Sequence, residues 1–194
     1  MNFYKITNEE ETHRGLQYHD GLVVDTVPFN PNGTCEPGGI YFAREDILFF
    51  LDYGPWIRKV SIPGGAQVYK DKGKWKADMV YLHPRRRLTG QVVQALIDEG
   101  ADPNVGGMWP LRWAETQGLQ DIALVLSKYV SDKGLDPSLL NTAVLHSWWD
   151  VAESLLRHIS SDKLFHILYA LHRNGSTLQA ERLLKRICER NKLC

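Results

Sequence analysis

Between His13 and Tyr41 the chain concentrates side chains that could do chemistry: His13, Arg14, Gln17, Tyr18, His19, Asp20, Asp25, Cys35 and Tyr41. A thiol and an imidazole form a nucleophile and base when they meet in space, so Cys35 with His13 or His19 is one reading. No orienting third group or oxyanion hole is identifiable beside them. His13, His19, Asp20 and Asp25 offer donors for a metal ion, although their spacing matches no standard zinc pattern. Histidines that face solvent or are hydrogen-bonded within the fold explain the same residues without chemistry. The chain holds no GxxxxGK[ST] phosphate loop, no HExxH and no GxSxG elbow. Arg85, Arg86 and Arg87 form a basic run beside His83 that could hold a phosphate or an acidic partner, or mark a solvated hinge.

The elements that must position these groups change character near Arg87. Up to about Leu82, short apolar runs rich in Val, Ile, Tyr and Phe (GLVVDTVPF, GGIYFA, WIRKVSI, AQVYKD and KADMVYL) are cut by Asn, Asp, Gly and Pro, the pattern of strands and turns. Turns are written into NPNG, EPGG, PGG and KDKGK. REDILFFLDYG predicts one short helix, with Glu45 and Asp46 at its N-terminal end and Gly54 past the other. Residues 1–87 therefore read as a small α+β domain.

Residues 88–194 read as helices. Val92, Val93, Leu96 and Ile97 make one apolar face, halted by Gly100-Ala101-Asp102-Pro103-Asn104. Pro110 to Tyr129 predicts two short helices broken at Gly118, with Leu111, Ala114, Ile122, Val125 and Leu126 inward. Leu140, Ala143, Val144, Val151, Leu155 and Leu156 repeat the arrangement, Ala114 to Ala143 and Leu126 to Leu155 each being one period of 29 residues. A looser third copy carries Leu168, Leu171, Ala180, Leu183, Leu184 and Ile187 around Asn174-Gly175-Ser176. A period near 30 with paired helices marks a solenoid whose units must stack to bury their apolar faces.

The stretch VVQALIDEGADPN followed by PLRWAETQGLQDIALVL resembles the ankyrin repeat, specifically at Leu96, Gly100, Ala101, Asp102, Asn104, Pro110, Leu111, Ala114 and Gly118. It departs where Trp109 replaces the usual threonine, and in the next unit the glycine before the second helix is lost, with Trp149 standing there. The segments THRGLQYHDGL, CEPGGIYFA and IPGGAQVYKDKGKWKADMVYL are similar to an uncharacterised domain that precedes ankyrin repeats in proteins of giant DNA viruses such as mimivirus. The resemblance implies an α+β domain followed by about three degenerate repeats, and no assigned activity. GGIYFA with an upstream histidine also looks like the nucleotide-binding part of ADP-ribosyltransferases. That likeness implies NAD as cofactor, His13 holding its ribose and Tyr41 stacking on nicotinamide. The later-strand glutamate this chemistry needs is absent, Asp78 being the nearest substitute, one methylene shorter.

Trp109, Trp113, Trp148 and Trp149 fall at the starts of repeats or their turns, where a solenoid presents its binding surface, and His146 belongs to the same unit as the last pair. Adjacent helical residues point about 100° apart, so Trp148 and Trp149 cannot be buried equally. The reading that joins these observations is a non-catalytic adaptor needing no cofactor and binding a protein partner, a host protein if the chain is viral. The 23 basic and 23 acidic residues cancel, giving no field to gather nucleic acid. Cys35, Cys188 and Cys194 are widely spaced, with no CxxC pair, which favours free thiols. With no recognisable export signal and no apolar run of membrane-spanning length, a cytoplasmic location is expected, the host cytoplasm for a viral chain.

Overall fold

The computed structural model describes residues 2–32, 35–130 and 136–191, apart from the side chains of residues 161, 190 and 191. Gly33 of the NPNG turn and Cys194 lie outside them. An α+β region precedes a short all-α series of helix pairs. The chain forms two compact units, Met1–Val105 and Gly106–Cys194.

The first unit is built on antiparallel strands: β1 (Phe3–Thr7), β2 (Thr12–His13), β3 (Leu16–Gln17), β4 (Gly21–Val24), β5 (Ile40–Ala43), β6 (Trp56–Ser61), β7 (Val68–Asp71), β8 (Lys74–Ala77), β9 (Met79–Leu82) and β10 (Arg86–Arg87). The main sheet runs β4-β9-β6-β1-β5-β8-β7, with β10 also pairing β6, while β2 and β3 make a separate hairpin. The two residues between β2 and β3, Arg14 and Gly15, have φ of 50° and 82°, as a tight hairpin turn requires. Tyr18, Val23, Ile40, Phe42, Val60, Ala77, Val80 and Leu82 form an apolar core.

Three features depart from the pattern of the sequence. The central strand β1 is absent from the runs that read as strands, because FYKIT places a lysine where alternation would put an exposed side chain, yet a strand paired on both edges and covered on both faces buries it. KADMVYL is two strands rather than one, broken at Asp78, whose carboxylate accepts the Gln67 N–H at 2.9 Å. The expected helix in REDILFFLDYG is a 3₁₀ segment, Ile47–Tyr53, interrupted at Phe50 (φ −109°) and lacking a side-chain cap.

A buried ion network braces this unit. Arg58 on β6 donates Nε and Nη2 to the two Glu11 carboxylate oxygens at 2.6 and 2.8 Å, and Nη1 to the His83 carbonyl at 2.9 Å and to Asp20. Helix α1 (Gly90–Asp98), which periodicity groups with the repeats, belongs to the first compact unit. Thr89 caps it by accepting the Val92 N–H, Val93 and Leu96 are buried, and Glu99 beyond its end accepts the Tyr4 hydroxyl at 2.9 Å and the Asn2 amide at 2.9 Å.

The second unit holds α2 (Val105–Thr116), α3 (Gln120–Ser127), α4 (Pro137–Leu145), α5 (Trp149–Leu156), α6 (Ser161–Arg173) and α7 (Thr177–Asn191). Gly106, Gly107 and Met108 are left-handed, so regular helix begins near Trp109 with Pro110 in its first turn. Packing of α3 on α5 and of α4 on α6 stacks one pair on the next. Ala114, Ala143, Leu126, Val151 and Leu155 are buried as the repeat predicts, but Leu184 is 50% exposed, facing away from the contact that buries Leu183. One turn recurs: Gly118, Ser147 and Gly175 have φ of 71°, 59° and 77°, and the next residue in each case donates its N–H to a carbonyl near the end of the preceding helix. The position expected to be lost to Trp149 is thus kept, two residues earlier, by Ser147. A side chain in this conformation costs about 1 kcal/mol relative to glycine. Ser147→Gly is accordingly expected to raise the unfolding free energy by about 0.5 to 1 kcal/mol in denaturant titration.

Candidate functional site

Residues from β1, the β2–β3 hairpin, β5, the 3₁₀ segment and the loop before β5 line a cavity of about 310 Å³ in the first unit. That is the lower end of the range for small-molecule sites. Gly38 and Gly39 form part of its rim at φ of 86° and 133°, and the Gly39 N–H donates to Asp25 at 2.6 Å. A Cβ on Gly38 would collide with the backbone of Pro28 and Asn30, so this turn needs glycine to approach so closely.

His13, Cys35 and Tyr41 share this cavity, and Asp78 is not among its lining residues. Asp78 holds Gln67 instead. The Tyr41 hydroxyl donates to the Glu36 carbonyl at 3.2 Å, and its ring lies 4.8 Å from Lys74 Nζ and 5.4 Å from Lys76 Nζ. Burial, then the charges of Lys5 and Arg14, pull the His13 pKa below its ordinary value, favouring neutral imidazole. Cys35 Sγ accepts from Lys74 Nζ at 2.9 Å, and this lysine is the thiol's partner rather than either histidine. His19 Nδ1 meets the Asp20 carbonyl, Asp20 pairs with Arg58, and Asp25 takes backbone N–H groups. Among the described residues, no group of three or more His, Cys, Asp or Glu side chains is placed to hold a metal.

One cavity residue is not marked by the sequence pattern. Lys5 Nζ donates to the Tyr41 carbonyl at 3.0 Å and lies 4.4 Å from the Tyr18 ring centre. Burial lowers its pKa to about 8. The available signal is FYKIT itself, a β-forming run at the start of a chain whose later strands need a centre.

The basic run is tied to the fold. Arg85 pairs with Glu11 at 3.1 Å and Arg87 with Glu9 at 3.8 Å, both guanidinium groups lie over the Trp56 ring, and Arg86 pairs with Ile57 in the sheet. In the second unit Trp109 and Trp113 are half-buried, with rings stacked at 6.2 Å. Trp148 and Trp149 are also both half-buried and His146 is exposed. His146 lies 5.2 Å from the Trp148 ring, whereas Arg186 of α7 covers Trp149 at 5.1 Å and also pairs with Glu153. The two tryptophans therefore differ in what they touch: Trp149 is clamped by another helix.

Helix pairs stacked at a constant turn make the second unit a repeat stack of the ankyrin kind. Two relatives from Acanthamoeba polyphaga mimivirus are named as ankyrin repeat proteins: one is 37% identical over 134 residues, 60% of this chain and 44% of its own length, the other 26% identical over 177 residues, 86% and 87%. An uncharacterised protein of the same virus is 34% identical over 128 residues, 62% of this chain and 93% of the relative. The chain belongs to the family of this last mimivirus protein. It spans less than half the length of the first relative and most of the other two. No protein-family model matches the chain. No solved structure matches it either. Among the described residues no helix is long and apolar enough to cross a membrane.

Proposed function

We propose that the chain is a non-catalytic adaptor that binds a protein partner through its second unit, in the cytoplasm, and in the host's if the chain is viral. The stacked pairs and the ankyrin relatives support an interaction role in general. The observation that carries the finer reading is the turn between α4 and α5, where half-buried Trp148 sits beside exposed His146 and, among the described residues, is not covered by a cation as Trp149 is by Arg186. Interface affinity concentrates in such rigid aromatic anchors.

Trp148→Ala is expected to leave stability within about 0.5 kcal/mol while weakening partner capture from a cytosolic extract by about 2 kcal/mol or more. Trp149→Ala is expected to cost about 1 kcal/mol of stability, because it removes the ring beneath Arg186. Strong destabilisation by both with capture unchanged would make the pair structural and move the search to Trp109 and Trp113. The alternative, an NAD-dependent ADP-ribosyltransferase, draws on His13 and Tyr41 lining one cavity. Turnover of labelled NAD that disappears on Tyr41→Ala would replace the adaptor reading.

A further inference from the structure

The cavity in the first unit is walled by aromatic rings and by the cations Lys5, Arg14 and Lys74, and among the described residues Lys74 alone of these has a carboxylate partner, Asp71 at 3.9 Å. Lys5 is its most telling group. A protonated amine has three hydrogens to donate, and among the described residues Lys5 Nζ spends one on the Tyr41 carbonyl and pairs with no carboxylate. A buried cation without a counter-ion is costly, and the depression of its pKa to about 8 by burial is consistent with that cost.

Arg14 adds a second charge. It stands at the tip of the β2–β3 hairpin with its guanidinium anchored on the Cys35 carbonyl at 3.1 Å, and among the described residues the other N–H groups of that planar fork have no partner. The wall also carries two carboxylates, and among the described residues neither forms an ion pair with Lys5 or Arg14. Asp25 is engaged by the N–H groups of Gly39 and Val27, and Glu36 is exposed. Tyr18, Tyr41, Phe50 and Tyr53 supply flat apolar surface in the same cavity. Flat rings recognise flat rings, and desolvated cations recognise anions more strongly than water-exposed ones do.

We propose that this cavity binds a small organic anion built on a flat ring, the anionic group meeting Lys5 and Arg14 and the ring lying against the aromatic wall. The anionic group is a phosphate or a carboxylate, two sources of one chemistry. The proposal concerns binding alone and stands apart from the partner surface of the second unit.

Titration calorimetry on the full chain at pH 7 separates the cases with four probes: AMP (ring and phosphate), benzoate (ring and carboxylate), adenosine (ring only) and inorganic phosphate (anion only). AMP or benzoate is expected to bind with a Kd below about 1 mM, and the matching probe lacking ring or anion about tenfold more weakly. Which of the two binds identifies the anionic group. Lys5→Met is expected to abolish binding. Since a core substitution on β1 can also impair folding, Arg14→Gln, at an exposed position, is the second variant. It is expected to weaken binding about fivefold with the thermal midpoint unchanged. The proposal is overturned if neither AMP nor benzoate binds, if adenosine binds as tightly as AMP with benzoate silent, or if folded Arg14→Gln binds the active probe as wild type does.

Discussion

Replacing Arg58 with alanine is expected to lower the unfolding free energy by about 3 to 5 kcal/mol, the usual consequence of leaving a buried charge without its partner. Arg58 is 3% exposed and Glu11 6%, and they share two hydrogen bonds, so the substitution strands the Glu11 carboxylate in the fold. Arg85 remains 3.1 Å from Glu11, but its side chain is 46% exposed, and Arg85→Ala is expected to cost no more than about 1 kcal/mol. The hydrogen bond from Arg58 holds the Glu11 pKa below its ordinary value despite burial. Because the folded value is the lower one, this stabilisation is present above the unfolded carboxylate pKa and is lost as pH falls through the folded pKa. Acid titrations followed by circular dichroism should therefore show a Glu11-dependent loss that Arg58→Ala removes. An Arg58→Ala protein within about 1 kcal/mol of wild type would mean that water solvates the stranded carboxylate.

Glu115 is expected to give the opposite pH slope. It is 4% exposed on α2, one of its carboxylate oxygens has no hydrogen-bond partner among the described residues, and burial followed by the negative charge of Asp136 raises its pKa from 4.5 to about 8. The folded chain then binds a proton that the unfolded chain releases above its own carboxylate pKa. Stability is full below about 4.5 and declines as pH rises toward about 8. A tenfold difference in proton affinity between the folded and unfolded chains is worth about 1.4 kcal/mol, and with relaxation of the site absorbing part of the total, a decline of about 3 kcal/mol is expected. Glu115→Gln should flatten that slope and be the more stable protein at the alkaline end. Urea unfolding at several pH values reads both effects, and a wild-type slope indistinguishable from that of the variant would show Glu115 to be ionised and hydrated in the fold.

The repeat half is the more legible in the sequence, because helical periodicity is local and survives substitution. Ala114 and Ala143 are readable as close-packing positions from a displacement of 29 residues, and both are fully buried. What periodicity does not report is which neighbour an element chooses. Helix α1 carries repeat-like residues yet is held by Tyr4 and Asn2 through Glu99. In the first half most strands are readable from β-forming runs, whereas β1, Lys5 and fully buried Lys76 are not, since a lysine reads as surface unless its strand is known to be central. The cavity is half visible. His13 and Tyr41 stand out by residue type, while the cation beneath them depends on a strand pairing of long sequence separation.

That pairing also governs the order in which the polypeptide can fold as it leaves the ribosome. β1 precedes the other strands of the main sheet in the chain and lies at its middle, and its hydrogen-bonding neighbours β5 and β6 begin only at residues 40 and 56. Glu99, which holds Tyr4 of that same strand, comes later still. β1 therefore has no strand partner until β5 and β6 have been made, so the centre of the sheet forms through contacts of long sequence separation.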